Sequence, residues 1–177
     1  MNSYTLVLDL DETLVHYEEG AEEGRVNFRP FLDDFLAEMA RCYEVVIFTA
    51  AVQEYADPIL DHIDPQNKLI SKRLYRQHTE SIDNLYNLKD LSILNGDLKK
   101  TIIIDNIPEN FTKQRANGIY IKSWYDDTKD TALKELISVL KDMAKAKPED
   151  VRVYLNNFKQ RLIENIEKGS LHPTMHV

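Results

Sequence analysis

The sequence predicts an α/β fold, a parallel sheet flanked by helices, and three observations carry that prediction. Residues 4–8, 45–48 and 101–104 are short, almost continuously apolar runs. Apolarity without alternation marks strands buried on both faces, as in a parallel sheet. Stretches of helical period separate and follow these runs, so strand alternates with helix and right-handed crossovers are expected. Each run also stops at a polar side chain, Asp9, Thr49 and Asp105 in turn.

The first helical stripe is Phe31, Leu32, Phe35, Leu36 and Met39. Pro30 opens it, and Asp33 and Asp34 stand in its first turn, where carboxylates meet the positive end of the helix dipole. Val52, Tyr55, Ala56, Ile59 and Ile63 make a second stripe, followed by a weaker strand candidate at 69–75. Another weak strand is expected at 119–121. Leu133, Leu136, Ile137, Leu140 and Met143 form a third stripe. Val151, Leu155, Phe158, Leu162 and Ile166 form a fourth, ending at Gly169 and read as a packed terminal helix. No repeat interrupts the chain, and only residues 144–148 resemble a joint. The expectation is one domain over residues 1–168, helical from about residue 129, with a mobile tail at 169–177.

Composition excludes several classes. A chain of 177 residues suits one well-packed domain. Its 22 lysines and arginines against 30 acids leave a net charge of −8, opposite to the basic face of a nucleic-acid binder. A hydrophobic share of 43% excludes wholesale disorder. No apolar run approaches the ~20 residues of a membrane helix, and the first run reads as a strand, not as a signal peptide. Cys42, the one cysteine, has no partner for an internal disulfide and is read as a small hydrophobe ending a helix. An intracellular place, nuclear or cytoplasmic, is expected. His16, His62 and His78 lack ligand spacing, and Pro173 spoils the pair His172 and His176 as a helical metal site.

Open parallel sheets hold ligands beyond the carboxyl ends of their strands, so the polar residues ending the three runs converge. The first run continues as Asp9-Leu10-Asp11-Glu12-Thr13. Extended backbone with a period of two places Asp9 and Asp11 on one side. Two carboxylates so close repel, and a hard cation relieves them. Asp105 and Asn106 complete an all-oxygen set, which suits magnesium better than zinc. The plain alternative is a solvated turn after an edge strand, and the convergence of three strand ends weighs against it. A carboxylate beside a divalent cation attacks phosphorus to form an aspartyl-phosphate. That attack also needs an acid for the leaving oxygen, a donor for the phosphoryl oxygens and a fixed cation. Asp9, Asp11, Thr49 and a lysine supply these four parts. No P-loop is present.

The run Leu8-Asp9-Leu10-Asp11-Glu12-Thr13-Leu14-Val15-His16 resembles the signature of the haloacid dehalogenase superfamily. More narrowly, it resembles the phosphatases of the RNA polymerase II carboxy-terminal domain and their small-phosphatase relatives. Phe28-Arg29-Pro30, residues 43–50, Glu54-Tyr55-Ala56-Asp57-Pro58, Leu88-Lys89-Asp90-Leu91-Ser92, Ile103-Ile104-Asp105-Asn106, Ser123-Trp124-Tyr125 and Glu149-Asp150-Val151-Arg152 agree in register. The resemblance, from about residue 4 to about residue 155, implies a Rossmann-like sheet of the haloacid dehalogenase type without a cap domain. It implies Asp9 as nucleophile, Asp11 as general acid and then base, Thr49 on a phosphoryl oxygen, and Lys89 balancing charge beside Asp9. Magnesium would be held by Asp9, Asp11 through its main chain, and Asn106, with Asp105 in support. Thr13, Arg76 and Tyr55 would meet the substrate. Two departures stand out: Ile107 replaces the usual hydroxyl residue, and residues 77–88 diverge, which bears on the groove more than on the chemistry.

Only 17 residues separate Thr13 from the helix near Phe31, with an acidic flap at 18–23, and the 40 residues from Thr49 to Lys89 already hold a helix and a strand. Neither gap houses a cap, so an open site accepting a phosphorylated protein or peptide is expected. Lys68, Lys72, Arg73 and Arg76 are expected to supply local positive charge. A phosphatase-fold binding module, like receptors of mitochondrial import, is the second reading, and a small-molecule phosphatase the third.

Overall fold

The computed structural model describes residues 4–20, 24–167 and 175–176. Strand β1 (Thr5–Leu8) leads into a hairpin of β2 (Val15–Glu18) and β3 (Arg25–Phe28), followed by α1 (Leu32–Cys42) and β4 (Glu44–Phe48). Next come α2 (Gln53–Ile63), β5 (Lys72–Leu74) and a second hairpin of β6 (Glu80–Ile82) and β7 (Tyr86–Leu88). The chain continues through β8 (Thr101–Asp105), β9 (Gly118–Ile121), α3 (Ala132–Ala146), α4 (Val151–Glu167) and β10 (Met175–His176).

The main sheet runs β10-β9-β8-β1-β4-β5, parallel from β9 to β5 and antiparallel only at β10. All three strong apolar runs lie side by side at its centre, and the weak candidates at 69–75 and 119–121 are the flanking β5 and β9. Leu6, Val7 and Leu8 are all fully buried. The period of two sorts them between two cores. Leu6 and Leu8 join Ile47, Ile102, Phe35, Leu60 and Leu136 under α1, α2 and α3. Val7 joins Val46, Phe48, Ile103, Leu91 and Phe111 on the other face. That second face is covered by 3-10 turns at Leu91–Leu94 and Pro108–Asn117 instead of an α-helix, which helical periodicity has no means of revealing.

Three details differ from expectation. Phe31 adopts a left-handed backbone (φ 68°), so α1 starts at Leu32 and Pro30 lies outside it. Cys42 is half-buried at the end of α1. The apolar stripe of α4 is buried at Val151 and Leu155 but only half-buried at Phe158. The tail expected at 169–177 falls largely outside the described residues; Met175–His176 pairs antiparallel with β9. Among the described residues no helix is long and apolar enough to cross a membrane. Both gaps where a cap could stand hold two-stranded hairpins.

Candidate active site

Register brings the strand ends together. Leu8 pairs with Ile47 on one side and Ile104 on the other, so Asp9 emerges level with Phe48 and Asp105, one residue short of Thr49. The Asp9 amide continues the ladder by donating to the Ile104 carbonyl (3.0 Å). The chain then turns sharply: the amides of Thr13, Leu14 and Val15 all point at the Leu10 carbonyl, and Glu12 takes φ 58°. Leu10 is driven into the core while Asp9 and Asp11 flank it.

Asp9 is held at both oxygens. Its Oδ1 accepts from Lys89 Nζ at 2.6 Å, and its Oδ2 accepts from the Thr13 hydroxyl at 2.8 Å. Lys89 also donates to Asp105 Oδ2 at 2.6 Å, and neither Lys89 nor Asp105 is exposed. Burial works against the ammonium, but Asp105 and then Asp9 outweigh it, so Lys89 is held above the ordinary lysine value. Burial, aided by the charge of Asp9, raises the Asp105 carboxyl. Two carboxylates thus share one ammonium, and this buried group favours a further cation.

The Asn106 amide group donates to Ser123 Oγ (2.8 Å), which turns its Oδ1 toward the same Thr13 hydroxyl that serves Asp9, at 3.4 Å. Asp11 is half-buried, and its Oδ1 accepts from the Tyr55 hydroxyl at 2.6 Å. Burial raises the Asp11 carboxyl; the Tyr55 hydrogen bond opposes this, and neighbouring Asp9 adds to it. Tyr55 is itself pushed up by burial and by that carboxylate. Thr49 is buried at the end of β4, its Oγ1 accepting from the Ala51 amide at 3.0 Å, which leaves its proton available to donate.

The predicted residues therefore gather at the strand ends. Thr13 lies fully buried behind Asp9, where it orients the carboxylate and faces no groove. The Asp105 oxygens are engaged by Lys89, the Ile107 amide (2.9 Å) and Asn110, so Asp105 stands beside the lysine. Because the backbone of Ile107 makes that bond, its departure in side chain leaves the Asp105 anchor intact. Of the four basic residues near β5, Arg76 alone lines the site; Arg73 is taken by Asp57 and Asp61. Two larger clefts, of about 470 and 620 Å3, contain none of the predicted residues.

Sequence reasoning missed Arg29 as a site-building residue. It is buried, forks onto Asp130 (2.8 and 3.0 Å), and donates to the carbonyls of Thr13 (3.0 Å) and Lys122 (3.1 Å). It therefore clamps the acidic turn from behind. The stretch Phe28-Arg29-Pro30 carried the resemblance but named no role for its arginine. His16 stacks edge-on against Tyr125 beside Glu12, and His62 stacks on Phe28.

A hard cation fits this donor set. Among the described residues no three His, Cys, Asp or Glu side chains converge as a metal group, and the oxygens nearest Asp9 and Asn106 are carboxylate, amide and hydroxyl. Such donors, completed by water, suit magnesium.

A parallel sheet flanked by helices, with paired acids just past its first strand, makes this an α/β protein. Its fold is similar to that of a fission yeast RNA polymerase II CTD phosphatase bound to beryllium fluoride, with TM-score 0.58 at 19% identity, covering 97% of this chain and 58% of the other. The chain belongs to the NLI interacting factor-like phosphatase family, whose pattern matches residues 4–152. It is 42% identical over 168 residues to a probable C-terminal domain small phosphatase of Dictyostelium discoideum, covering 86% of this chain and 54% of the relative. It is also 41% identical over 157 residues to a mitochondrial import inner membrane translocase subunit tim50 of Aspergillus fumigatus, covering 88% and 31%. The chain thus spans about half or less of the length of these relatives.

Proposed function

We propose that this chain is a magnesium-dependent phosphatase acting on phosphorylated serine or threonine of proteins through an aspartyl-phosphate. The carrying observation is the double anchoring of Asp9, by Lys89 on one oxygen and Thr13 on the other, with Asp11 alongside. Asp9, the main-chain oxygen of Asp11 and Asn106 would hold the cation. When bound, it supplies positive charge that screens the dianionic phosphoester from Asp9.

An Asp9 oxygen forms a bond to phosphorus as the ester P–O bond breaks, and Asp11 gives its proton to the departing alkoxide. The raised Asp11 carboxyl keeps that proton available. Asp11, now ionised, takes a proton from water, whose oxygen bonds to phosphorus and displaces Asp9 as a carboxylate. Thr49 donates to a phosphoryl oxygen, and Lys89 balances the charge on Asp9 throughout. Hairpins in place of a cap in both gaps support a protein segment as substrate more than a metabolite.

The test is a panel of phosphopeptides and phosphorylated metabolites with wild type and Asp9→Asn. Turnover of phosphopeptides by wild type alone, with beryllofluoride bound at Asp9, is expected. Preference for metabolites would overturn the substrate class, and substantial turnover by Asp9→Asn would overturn the nucleophile. The similarity to the translocase subunit favours a second reading, a binding module with little activity; binding of peptides without turnover would select it.

A further inference from the structure

Lys89 is held at both ends. Its ammonium is shared between Asp9 Oδ1 and Asp105 Oδ2, each at 2.6 Å. Its main-chain amide donates to the Asn110 carbonyl at 2.7 Å. Asn110 reaches the ammonium end as well, because its Nδ2 donates to Asp105 Oδ2 at 3.3 Å and to Oδ1 at 3.4 Å. One residue thus holds the peptide of the lysine and the carboxylate that competes with Asp9 for its charge.

The platform under Asn110 is fixed. The residue is 4% exposed and lies in the 3-10 segment Pro108–Asn117 that follows β8. Phe111, its neighbour, is sunk in the core with Val7, Phe48 and Ile103. Gly118 leaves room for that ring, since a Cβ there would fall 2.1 Å from Phe111 Cε2. The same segment grips the chain just past Lys89: Gln114 accepts from the Leu91 amide (3.1 Å) and donates to Asp90 (2.9 Å).

Lysine carries a compact charge on a flexible four-carbon stem. Between two buried carboxylates it is drawn toward the one with fewer other donors, because an unsatisfied lone pair is costly away from water. Besides the lysine, Asp9 accepts from the Thr13 hydroxyl, whereas Asp105 accepts from the Ile107 amide and from Asn110. The Asn110 amide group is therefore what tips the ammonium toward Asp9.

Resting on the phosphatase reading above, we infer that Asn110 is a positioning residue for Lys89. By supplying Asp105 with donors, it leaves the ammonium on Asp9 while the bond to phosphorus forms. It acts through Lys89 and Asp105, so its loss is felt in the chemical step and not in the binding of the peptide.

The test compares Asn110→Ala with Asn110→Asp by steady-state turnover of a phosphoserine peptide and by the NMR signal of the Lys89 ammonium nitrogen in the unliganded protein. Alanine removes the donor and leaves a gap; aspartate fills the same space but replaces the donor with a negative charge. Asn110→Ala is expected to lower kcat about tenfold, the worth of one hydrogen bond to a charged group, with KM unchanged. Asn110→Asp should lower kcat further, and both should move the Lys89 signal. Thr112→Ala, on the same segment but exposed, should leave both readouts as in wild type. A packing role predicts the reverse order, alanine worse than aspartate. That order, or wild-type kcat in Asn110→Ala, overturns the inference. If either variant fails to fold, Asn110→Ser carries the test: lower kcat at constant KM supports the inference, and wild-type kcat overturns it. If wild type turns nothing over but the Lys89 signal moves in both variants, the positioning stands and the phosphatase reading falls. Turnover by wild type with an unmoved Lys89 signal in the variants refutes the positioning and leaves the phosphatase reading intact.

Discussion

Lys89 and Asp9 are 80 residues apart in the chain, yet the lysine ammonium sits 2.6 Å from Asp9 Oδ1. The same ammonium bridges to Asp105 at 2.6 Å with no solvent exposure. Burying a charge costs several kcal/mol unless a partner in good geometry offsets it, so each member of this trio depends on the others. One arrangement thus orients Asp9 and ties strand β1 to β8.

Replacing Lys89 with methionine leaves two carboxylates facing each other in the core. Denaturant unfolding should show a loss of about 3–5 kcal/mol. Adding Asp105→Asn removes one of those charges and should restore about 1–2 kcal/mol. A double variant no more stable than Lys89→Met would mean that the trio is not coupled.

Arg29 makes four bonds from one guanidinium. A lysine keeps the charge but lacks the planar fork, so Arg29→Lys should cost about 1.5–3 kcal/mol. Because the lost bonds include that to the Thr13 carbonyl, kcat should fall with little change in KM. Thermal melts and steady-state kinetics read the two effects separately, and wild-type values in both would refute the clamp.

Asp64 caps the turn after α2, its carboxylate accepting from the amides of Lys68 (3.0 Å), Leu69 and Ile70 (2.9 Å each). Burial alone would raise this carboxyl, but the amides of Ile70, Lys68 and Leu69 hold it below the ordinary value. The folded state therefore binds the Asp64 proton less readily than the unfolded chain. The resulting stability is present above the unfolded pKa of about 3.9 and is lost as pH falls below it toward the folded value. Asp64→Asn should lower the melting temperature at pH 7 and lose less than wild type between pH 5 and the acid limit, each bounded by the carboxylate range. Parallel pH profiles for the two proteins would contradict the cap's role.

Chelation by EDTA should stop turnover, and magnesium should restore it where zinc does not, because the donors are oxygens. Asn106→Ala should raise the magnesium concentration needed for half-maximal rate. Full activity in EDTA would dismiss the cation.

Much of the architecture was legible beforehand. The buried strands announce themselves because a strand covered on both faces has no room for polar side chains, and Asp9, Thr49 and Asp105 mark where that cover ends. Asp9 and Asn106 do converge on one hydroxyl, as strand ends in a parallel sheet should. The 3-10 cover over Val7 and Phe48 was illegible, since such short turns lack a lasting period. Arg29 was missed for another reason: a buried arginine is recognisable only through partners contributed by residues 13, 122 and 130.

The residues alone determined which segments become central strands and which acids stand at their tips, because backbone periodicity and apolar cover are local properties of the chain. Tertiary structure decided that Thr13 lies behind Asp9 and that Asp105 serves Lys89. Those outcomes depend on which distant groups share a buried space, since a charge or hydroxyl removed from water takes whatever partner the packing delivers.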